Sequence, residues 1–434
     1  MDPPRRRKPG LPRRSRLRVG GTRPHRRMQR GLRLVWQARA RPVDRTYRGR
    51  HYGTFPERCA EMSTMTKDGP PFRADHVGSL LRPESLRQAF RARAEGKIDN
   101  AAFTKAQDDA IREIVALQEE IGLHAITDGE FRRASYWSHF ADGINGLAVA
   151  PARFEFHDET GHAMNFLAPH VAGKLRRAKS LSGNEFDFLK GVTAGTPKIT
   201  LPSPPTMHFW DKEGSVRAAG YADDDAFFAD VARVFQEEIS DLARRGARYI
   251  QIDDVPLAML CDETLRGRMT AADEDPEAAL TRYVELFNAC LATVPEDMIV
   301  ALHVCRGNFK GHWLSEGGYG RVARRMFNEI DVDSYFLEFD SPRAGDFLPL
   351  ADVPKHKSVV LGIVSTKTAT LESANAVKRR IDEAAAVLPL DQLALSPQCG
   401  FASAVSGNPI TANDQIHKLR LVVEIAADVW GHNA

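Results

Sequence analysis

The stretch "MIVALHVCRGN", Met298 to Asn308, joins a run of apolar residues to reactive side chains at its end. The run has the length of a buried β-strand, and polar residues and a glycine follow it. Side chains alternate between the two faces of a strand, so residues two positions apart point the same way. We therefore expect His303 and Cys305 to face one common point.

Runs of this kind recur from about residue 70 onward and alternate with amphipathic helical segments. The eight predicted strands are Phe72–Ser79, His124–Glu130, Lys198–Pro204, Tyr249–Val255, Met298–Val304, Ser334–Asp340, Val359–Ser365 and Leu393–Cys399. Strands that alternate with long helices are typical of parallel sheets, and eight such units predict an α/β fold of the (β/α)8 TIM barrel type. A doubly wound open sheet is the alternative, but "HVGSLLRP" matches its glycine-rich phosphate turn poorly.

The segment from Tyr136 to Pro197 is too long for a simple connection after the second strand. It contains glycine, proline and aromatic residues, for example in "YWSHFADGINGL". We therefore predict an insertion after the second strand, with its own strands or a hairpin, lying over the mouth of the barrel.

The formal net charge of +3 hides a basic N-terminal segment. Residues 1–61 hold 19 Lys+Arg and 4 Asp+Glu, a balance of +15, whereas the rest of the chain has a balance of −12. Arginine mixed with proline and glycine cannot bury a core, and the segment has no apolar stretch typical of a secretion signal. We predict a disordered Arg-rich tail over residues 1–65 and a barrel domain over 66–434. Three interpretations of the tail remain open: an upstream extension before a start at Met62 or Met65, a targeting-like arm, and a polyanion-binding arm.

Five cysteines at irregular spacings do not indicate a disulfide framework, and they fit a reducing compartment. No run of about 18 apolar residues is present, so a membrane-spanning helix is not expected. Outside its tail the chain is acidic, which disfavours nucleic acid as a partner. We expect a cytoplasmic protein without a membrane or nucleic-acid partner.

Active sites of TIM barrels form at the C-terminal ends of the strands. The reactive residues at the predicted strand ends are His76, Ser79, Asp128, Glu130, Asp253, Asp254, His303, Cys305, Glu338, Asp340 and Cys399. Among them, the thiolates of Cys305 and Cys399 and the imidazole of His303 favour Zn²⁺ over Mg²⁺ or Ca²⁺. A packed strand end for His303 and Cys305, and an ion pair for Glu338, are the alternatives.

Six motifs in order resemble the cobalamin-independent methionine synthase family, in particular short members that match only its C-terminal catalytic half. They are "FRADHVGSLLRP", "TDGEFRR", "QIDD", "LHVCRGN", "FLEFD" and "LSPQCGFAS", and the resemblance spans about Pro71 to Trp430. The resemblance implies that Zn²⁺ is held by His303, Cys305, Glu338 and Cys399. It also implies that the amino acid part of homocysteine is held at Ser79, Glu130 and Asp253.

Each of the substrate residues also has a purely structural interpretation. Glu130 could pair with Arg132 or Arg133, and Asp253 could cap a helix. For His76, a hydrogen-bonded core histidine is as consistent with the sequence as substrate contact in the cleft.

The resemblance implies methyl transfer to a thiol, and the chemistry of these residue types fits that reaction. A free thiol attacks a methyl group poorly, whereas zinc binding deprotonates it and holds it in place. Carboxylates such as Glu130 and Asp253 would pair with the substrate ammonium. We predict a zinc-dependent S-methyltransferase whose partners are a small-molecule thiol, most simply homocysteine giving methionine, and a methyl donor.

One position departs from the family. Full-length members carry a histidine in a "D-I-H-S" turn, which is thought to protonate the departing folate nitrogen, whereas this chain reads "GIVST" with Val364. An acid matters most for a poor leaving group. Methylfolate, methylcobalamin and a methylated corrinoid protein therefore all stay open as donors.

Three other functions compete with this prediction. An alkyltransferase similar to epoxyalkane–coenzyme M transferases would use the same zinc ligands but would not need the acids that bind an ammonium. A decarboxylase of the uroporphyrinogen type would need no zinc. An RNA-binding protein would depend on the basic tail alone.

Overall fold

The computed structural model describes residues 69–211 and 214–431. The predicted Arg-rich tail and its boundary at residue 65 lie outside the described residues. The strands are β1 Ala125–Ile126, β2 Ile144–Pro151, β3 Phe156–His157, β4 Ala163–Met164, β5 Leu167–Arg177, β6 Thr196–Pro197, β7 Ile199–Pro202, β8 Tyr249–Asp254, β9 Ile299–Val304, β10 Ser334–Glu338, β11 Ser358–Val364 and β12 Leu393–Pro397. The α-helices are α1 Glu84–Ala94, α2 Asn100–Ile121, α3 Ser138–Gly143, α4 Gly183–Val192, α5 Ser215–Ala218, α6 Asp224–Arg245, α7 Pro256–Met259, α8 Glu263–Ala271, α9 Pro276–Leu291, α10 Ala323–Glu329, α11 Ala374–Ala385 and α12 Ala412–Trp430.

Strands β7 to β12 form one parallel sheet of six strands, in which the strands lie side by side in the order of the chain. Every residue of β8, β9, β10, β11 and β12 is buried. Burial on both faces explains why these strands read as continuous apolar runs rather than as alternating patterns. The register places Asp253 of β8 opposite His303 of β9, so the reactive ends of neighbouring strands lie side by side.

The first two predicted strands are much shorter than expected. Within the predicted Phe72–Ser79 strand the structure has one isolated parallel bridge, between Ala74 and Leu395 of β12. The second is reduced to β1, which pairs in parallel with β6. Glu130, at the end of that predicted strand, has a φ of 60°, a left-handed conformation that no regular strand accommodates. The fold is therefore a mixed α/β fold, and strand pairing by itself does not establish the predicted eight-stranded closure.

The long helices form because their apolar residues repeat with helical spacing and their ends are capped. Helix α2 begins after Asp99, whose carboxylate accepts the N–H of Ala102 at 2.8 Å. It ends at Gly122, whose φ of 96° suits a residue without a Cβ. Its buried face includes Ile111 and Ile114, and each such side chain contributes about 1.5–3 kcal/mol of burial free energy.

The predicted insertion has strands of its own. Between β1 and β6, strands β2 and β5 pair antiparallel, with Leu147 opposite Val171. Strands β3 and β4 form a second, smaller antiparallel pair. The ring of Phe156 in β3 packs edge-on against Phe166, which lies just before β5, with their centroids 4.8 Å apart.

Within the described ranges, none of the helices is both long enough and apolar enough to cross a membrane. Cys261, Cys290, Cys305 and Cys399 are buried and free of disulfide bonds. Cys59 lies outside the described residues. The thiols of these four cysteines are thus available for other chemistry.

Candidate metal centre and substrate cavity

Three predicted metal ligands meet at the carboxyl ends of β9 and β12. His303 lies in β9, Cys305 directly follows that strand, and Cys399 follows β12 by two residues. One ligand atom from each of them lies within 4.8 Å of the others, and all three residues are buried. The two Sγ atoms are 3.9 Å apart. This arrangement gives a single point that two sulfur atoms and one imidazole can share.

The imidazole of His303 is oriented for a metal. Its Nδ1 lies 3.1 Å from the carbonyl oxygen of Phe336 in β10, so Nδ1–H donates to that carbonyl. Nε2 is buried and has no hydrogen-bond partner. Buried polar atoms normally have partners, and metal-binding histidines typically donate their other ring N–H to an acceptor such as a carbonyl. The donor set and the unpartnered nitrogen fit a soft divalent metal.

The two cysteines of this cluster differ in acidity. The hydrogen bond with Cys305 holds the pKa of the Cys399 thiol well below its ordinary value, and His303 acts in the same direction. The same contact raises the pKa of Cys305. One thiolate is therefore favoured, which leaves an anion inside the cluster.

The predicted fourth ligand, Glu338, is buried but does not join this cluster. Lys367 Nζ donates to its Oε1 at 3.0 Å, and the backbone N–H of Arg306 donates to its Oε2 at 2.7 Å. Burial alone would raise the pKa of Glu338, but Lys367 and Arg306 outweigh it and lower the pKa to about 2. The structure thus places Glu338 in an ion pair with Lys367, outside the group formed by His303, Cys305 and Cys399.

A cavity of about 480 Å³ adjoins the cluster, and His303, Cys305 and Cys399 lie in its wall. Its acidic lining residues are Glu130, Asp142, Asp253 and Asp254. Its aromatic lining residues are Tyr136, Trp137, Phe156, Phe166, Trp210 and Phe309. The insertion supplies Phe156 and Phe166, so it covers the end of the sheet where the reactive side chains lie.

Glu130 is held in a strained conformation that directs it into the cavity wall. Its φ is 60°, and its N–H donates to Asp128 Oδ1 at 2.8 Å. Thr200 Oγ1 donates to Glu130 Oε1 at 2.7 Å, Arg133 lies 3.5 Å away, and Oε2 is buried without a partner. Burial raises the pKa of this carboxyl despite the opposing effect of Arg133. Strained non-glycine residues of this kind cluster at functional sites.

Asp253 is hydrogen-bonded to a neutral amide rather than to a cation. Gln251 Nε2 donates to its Oδ1 at 2.7 Å and also donates to the carbonyl of Val77. Burial raises the pKa of Asp253 to about 7, although His303 acts to lower it. A carboxylate in this setting gains most from a cationic group that enters the cavity.

Ser79 also lines the cavity, close to the turn that carries Cys399. The N–H of Phe401 donates to the Ser79 carbonyl at 2.8 Å. A Cβ at Gly400 would lie 2.0 Å from Ser79 Oγ, so this approach requires glycine. The "CG" pair therefore places Cys399, a predicted metal ligand, next to Ser79 in the cavity wall.

His76 lies away from this wall and does not line the cavity. Its Nε2 is 3.2 Å from the carbonyl of Ala125, and its side chain is buried. Burial, with a smaller effect of Lys198, lowers the pKa of His76 to about 4. These contacts are those of a neutral core histidine, which was the alternative interpretation from the sequence.

Sequence reasoning missed Lys367, Arg306 and Gln251, which hold the predicted site residues in place. Arg306 and Gln251 lie inside the motifs "LHVCRGN" and "QIDD", so their place in these motifs was the signal that could have identified them. Lys367 follows β11 in a polar turn, and its partner Glu338 is 29 residues away. No local pattern indicates such a long-range ion pair.

Comparison with known proteins shows one consistent family. Residues 72–428 match the family model described as "Cobalamin-independent synthase, Catalytic domain". The uncharacterized protein YxjH of Bacillus subtilis is 38% identical over 375 residues, which cover 86% of this chain and 98% of that protein. A methionine synthase of Saccharolobus solfataricus is 26% identical over 332 residues, covering 75% of this chain and 86% of that protein.

A solved structure has the same fold. The putative vitamin-B12 independent methionine synthase from Listeria monocytogenes superposes with a TM-score of 0.64 at 31% sequence identity. The match covers 83% of this chain and 98% of that chain.

Proposed function

Because the chain belongs to the cobalamin-independent synthase family, we propose that it is a zinc-dependent methyltransferase that converts homocysteine to methionine. The observation that carries this proposal is the buried cluster of His303, Cys305 and Cys399 in the wall of a cavity that also contains Glu130 and Asp253. The cluster has the donor atoms of a zinc site, and the acids suit a substrate with an ammonium group.

His303, Cys305 and Cys399 would hold the zinc ion, with Glu338 as the fourth ligand. Zinc, when bound, keeps a substrate thiol deprotonated near neutral pH. The carbonyl of Phe336 fixes the His303 ring, so Nε2 faces the cluster.

Asp253 and Glu130 would bind the ammonium group of homocysteine, and Ser79 lies in the same wall. Asp253 and His303 are register partners on neighbouring strands, which are about 4.8 Å apart in a sheet. That spacing places the ammonium site close to the metal site, as the short side chain of homocysteine requires. An alkyltransferase for a thiol without an amino group would have no use for these two acids.

In the reaction, the substrate sulfur attacks the methyl carbon of the donor, and the donor departs with the bonding electron pair. Val364 is buried, does not line the cavity and has no proton to give. Only the folate nitrogen needs a proton as it leaves, and no proton donor has been identified at Val364. Methylfolate and a methylcorrinoid are therefore both tested as donors.

We also propose that the strand segments close into a (β/α)8 barrel. Asp75 N–H donates to the Leu395 carbonyl of β12 at 3.1 Å. Leu80 N–H donates to the Gly129 carbonyl at 3.1 Å, which links the first two predicted strand segments. Lys198 N–H donates to the Ile126 carbonyl at 2.8 Å, which links β1 to the residue before β7. The division at residue 65 and a cytoplasmic location stay predictions.

The test is mass spectrometry of the products after incubation of zinc-loaded protein with homocysteine and a methyl donor. Methyltetrahydrofolate and methylcobalamin, each labelled in the methyl group, are supplied in parallel. Labelled methionine from either donor is the expected result and identifies that donor. No labelled methionine from either, with one zinc per chain bound, would reject this acceptor and donor pair.

A further inference from the structure

Resting on the zinc site of the proposed function, we propose that Lys367 is a positioning residue shared by Glu338 and Asp340. In this proposal Lys367 determines how strongly Glu338 binds the metal. While the ammonium pairs with Glu338, that carboxylate is a weak ligand; when it pairs with Asp340, Glu338 is free to bind.

The contacts of Lys367 indicate this role. Its Nζ lies 3.0 Å from Glu338 Oε1 and 3.9 Å from Asp340 Oδ2. The side chains of Lys367, Glu338 and Asp340 are 5%, 0% and 2% exposed, so water does not replace either partner. The two acids are two positions apart, at and just beyond the end of β10. One cation therefore lies within reach of two buried carboxylates.

Asp340 is ready to accept the ammonium. Its Oδ1 is buried and has no hydrogen-bond partner. A buried acceptor without a partner costs about 1–3 kcal/mol, so a hydrogen bond to Oδ1 from the Lys367 ammonium, which already lies 3.9 Å from the neighbouring Oδ2, would be favourable. Arg306, which donates its backbone N–H to Glu338 Oε2, holds that carboxylate in place during such a change.

The charges explain why a shared cation suits this site. Two thiolates balance a divalent metal, so the carboxylate of Glu338 adds a surplus negative charge to a buried cluster. A buried charge without a counter-ion is strongly unfavourable, and Lys367 supplies that counter-ion. Because Glu338 can leave the metal and pair with Lys367 again, an incoming substrate thiol can take its position on the metal.

The experiment measures zinc affinity by competition with a chromophoric chelator. Lys367→Met should bind zinc about tenfold more tightly, because Glu338 then has only the metal and Arg306 as partners. Asp340→Asn should bind zinc about tenfold more weakly, because Lys367 then stays on Glu338. Lys367→Arg keeps the charge and should stay close to the wild type.

Glu338→Gln provides the decisive background. When Lys367→Met or Asp340→Asn is added to Glu338→Gln, the zinc affinity should stay unchanged, because the carboxylate through which Lys367 acts is gone. Persistence of both effects would show simple charge effects on the metal and would overturn the proposal. A fall in affinity for both single variants would show a merely structural role and would also overturn it.

X-ray absorption of the zinc-loaded proteins gives a second readout. On addition of homocysteine, the wild type should gain one sulfur ligand and lose one oxygen ligand. Lys367→Met should keep the oxygen ligand at the same thiol concentration, and loss of it would contradict the proposal. A wild type without stoichiometric zinc would refute the proposed function itself, whereas a zinc-loaded wild type and unchanged variants would refute only the role of Lys367.

Discussion

Glu338 and Asp253 are both buried carboxylates at the ends of parallel strands, yet their environments have opposite effects. Glu338 pairs with Lys367, and its pKa is lowered to about 2. Asp253 has the neutral amide of Gln251, and burial raises its pKa to about 7. The difference separates the proposed metal end of the site, which is His303, Cys305 and Cys399 in the cavity wall with Glu338 outside that wall, from its acidic end, Glu130 and Asp253. A metal at Glu338 must compete with the ammonium of Lys367, whereas Asp253 has no hydrogen-bonded cation and favours a cationic ligand.

The largest effect is expected at the metal end. Cys399→Ala removes one of three clustered ligands and should lose zinc and methyl transfer together, with a fall in zinc affinity of more than about 100-fold. Metal analysis and the product assay measure the two losses. Cys290→Ala is the matched control, because Cys290 is a free, buried cysteine of α9 away from the cluster. Full zinc content in Cys399→Ala would remove this residue from the ligand set.

Asp253→Asn tests whether the two ends are independent. The variant should keep zinc but lose a charge-assisted hydrogen bond to the substrate ammonium, worth about 1.5–3 kcal/mol. Homocysteine affinity, measured by titration of the zinc-loaded protein, should fall roughly 10- to 150-fold. Loss of zinc in Asp253→Asn would show that Asp253 also supports the metal site and that the two ends are not independent.

Glu130→Gln should have a smaller effect of the same kind, because Arg133 already balances part of the Glu130 charge. We expect homocysteine affinity to fall about tenfold, with zinc retained. The same titration measures it, with Asp142→Asn as the control at an exposed acid of the cavity wall. Unchanged affinity in Glu130→Gln would reject its contact with the ammonium.

The smallest effect is a pH dependence of homocysteine binding. Burial raises the pKa of Asp253 to about 7, so the carboxyl is protonated below that pH and cannot pair with an ammonium. Affinity should therefore rise as pH increases through about 7. The same profile in Asp253→Asn corrects for ionisation of the thiol and should be flatter. Identical profiles for the two proteins would exclude Asp253 as the titrating group.

Sequence patterns predicted the later strands well and the first two poorly. Strand β9 covers Ile299–Val304 and was predicted as Met298–Val304. The predicted Phe72–Ser79 strand contains a single bridge at Ala74. Apolar runs indicate burial, but whether two segments pair depends on the path of the chain between them.

The candidate site divides in the same way. Alternation along β9 placed His303 and Cys305 on one face, because a period of two is a property of the extended backbone itself. Lys367 was missed, because it lies beyond β11 whereas its partner Glu338 is the last residue of β10, 29 residues earlier in the chain. Contacts of that kind have no signature in a local pattern.

The order of motifs along the chain was thus enough to predict the family, and the period of two was enough to bring His303 and Cys305 together. The environment of each group follows from the fold alone: Glu338 is in an ion pair, Asp253 is hydrogen-bonded to a neutral amide, and His76 is buried in the core. The physical reason is that charge state depends on burial and on the distance to charges from other elements, which folding alone brings together.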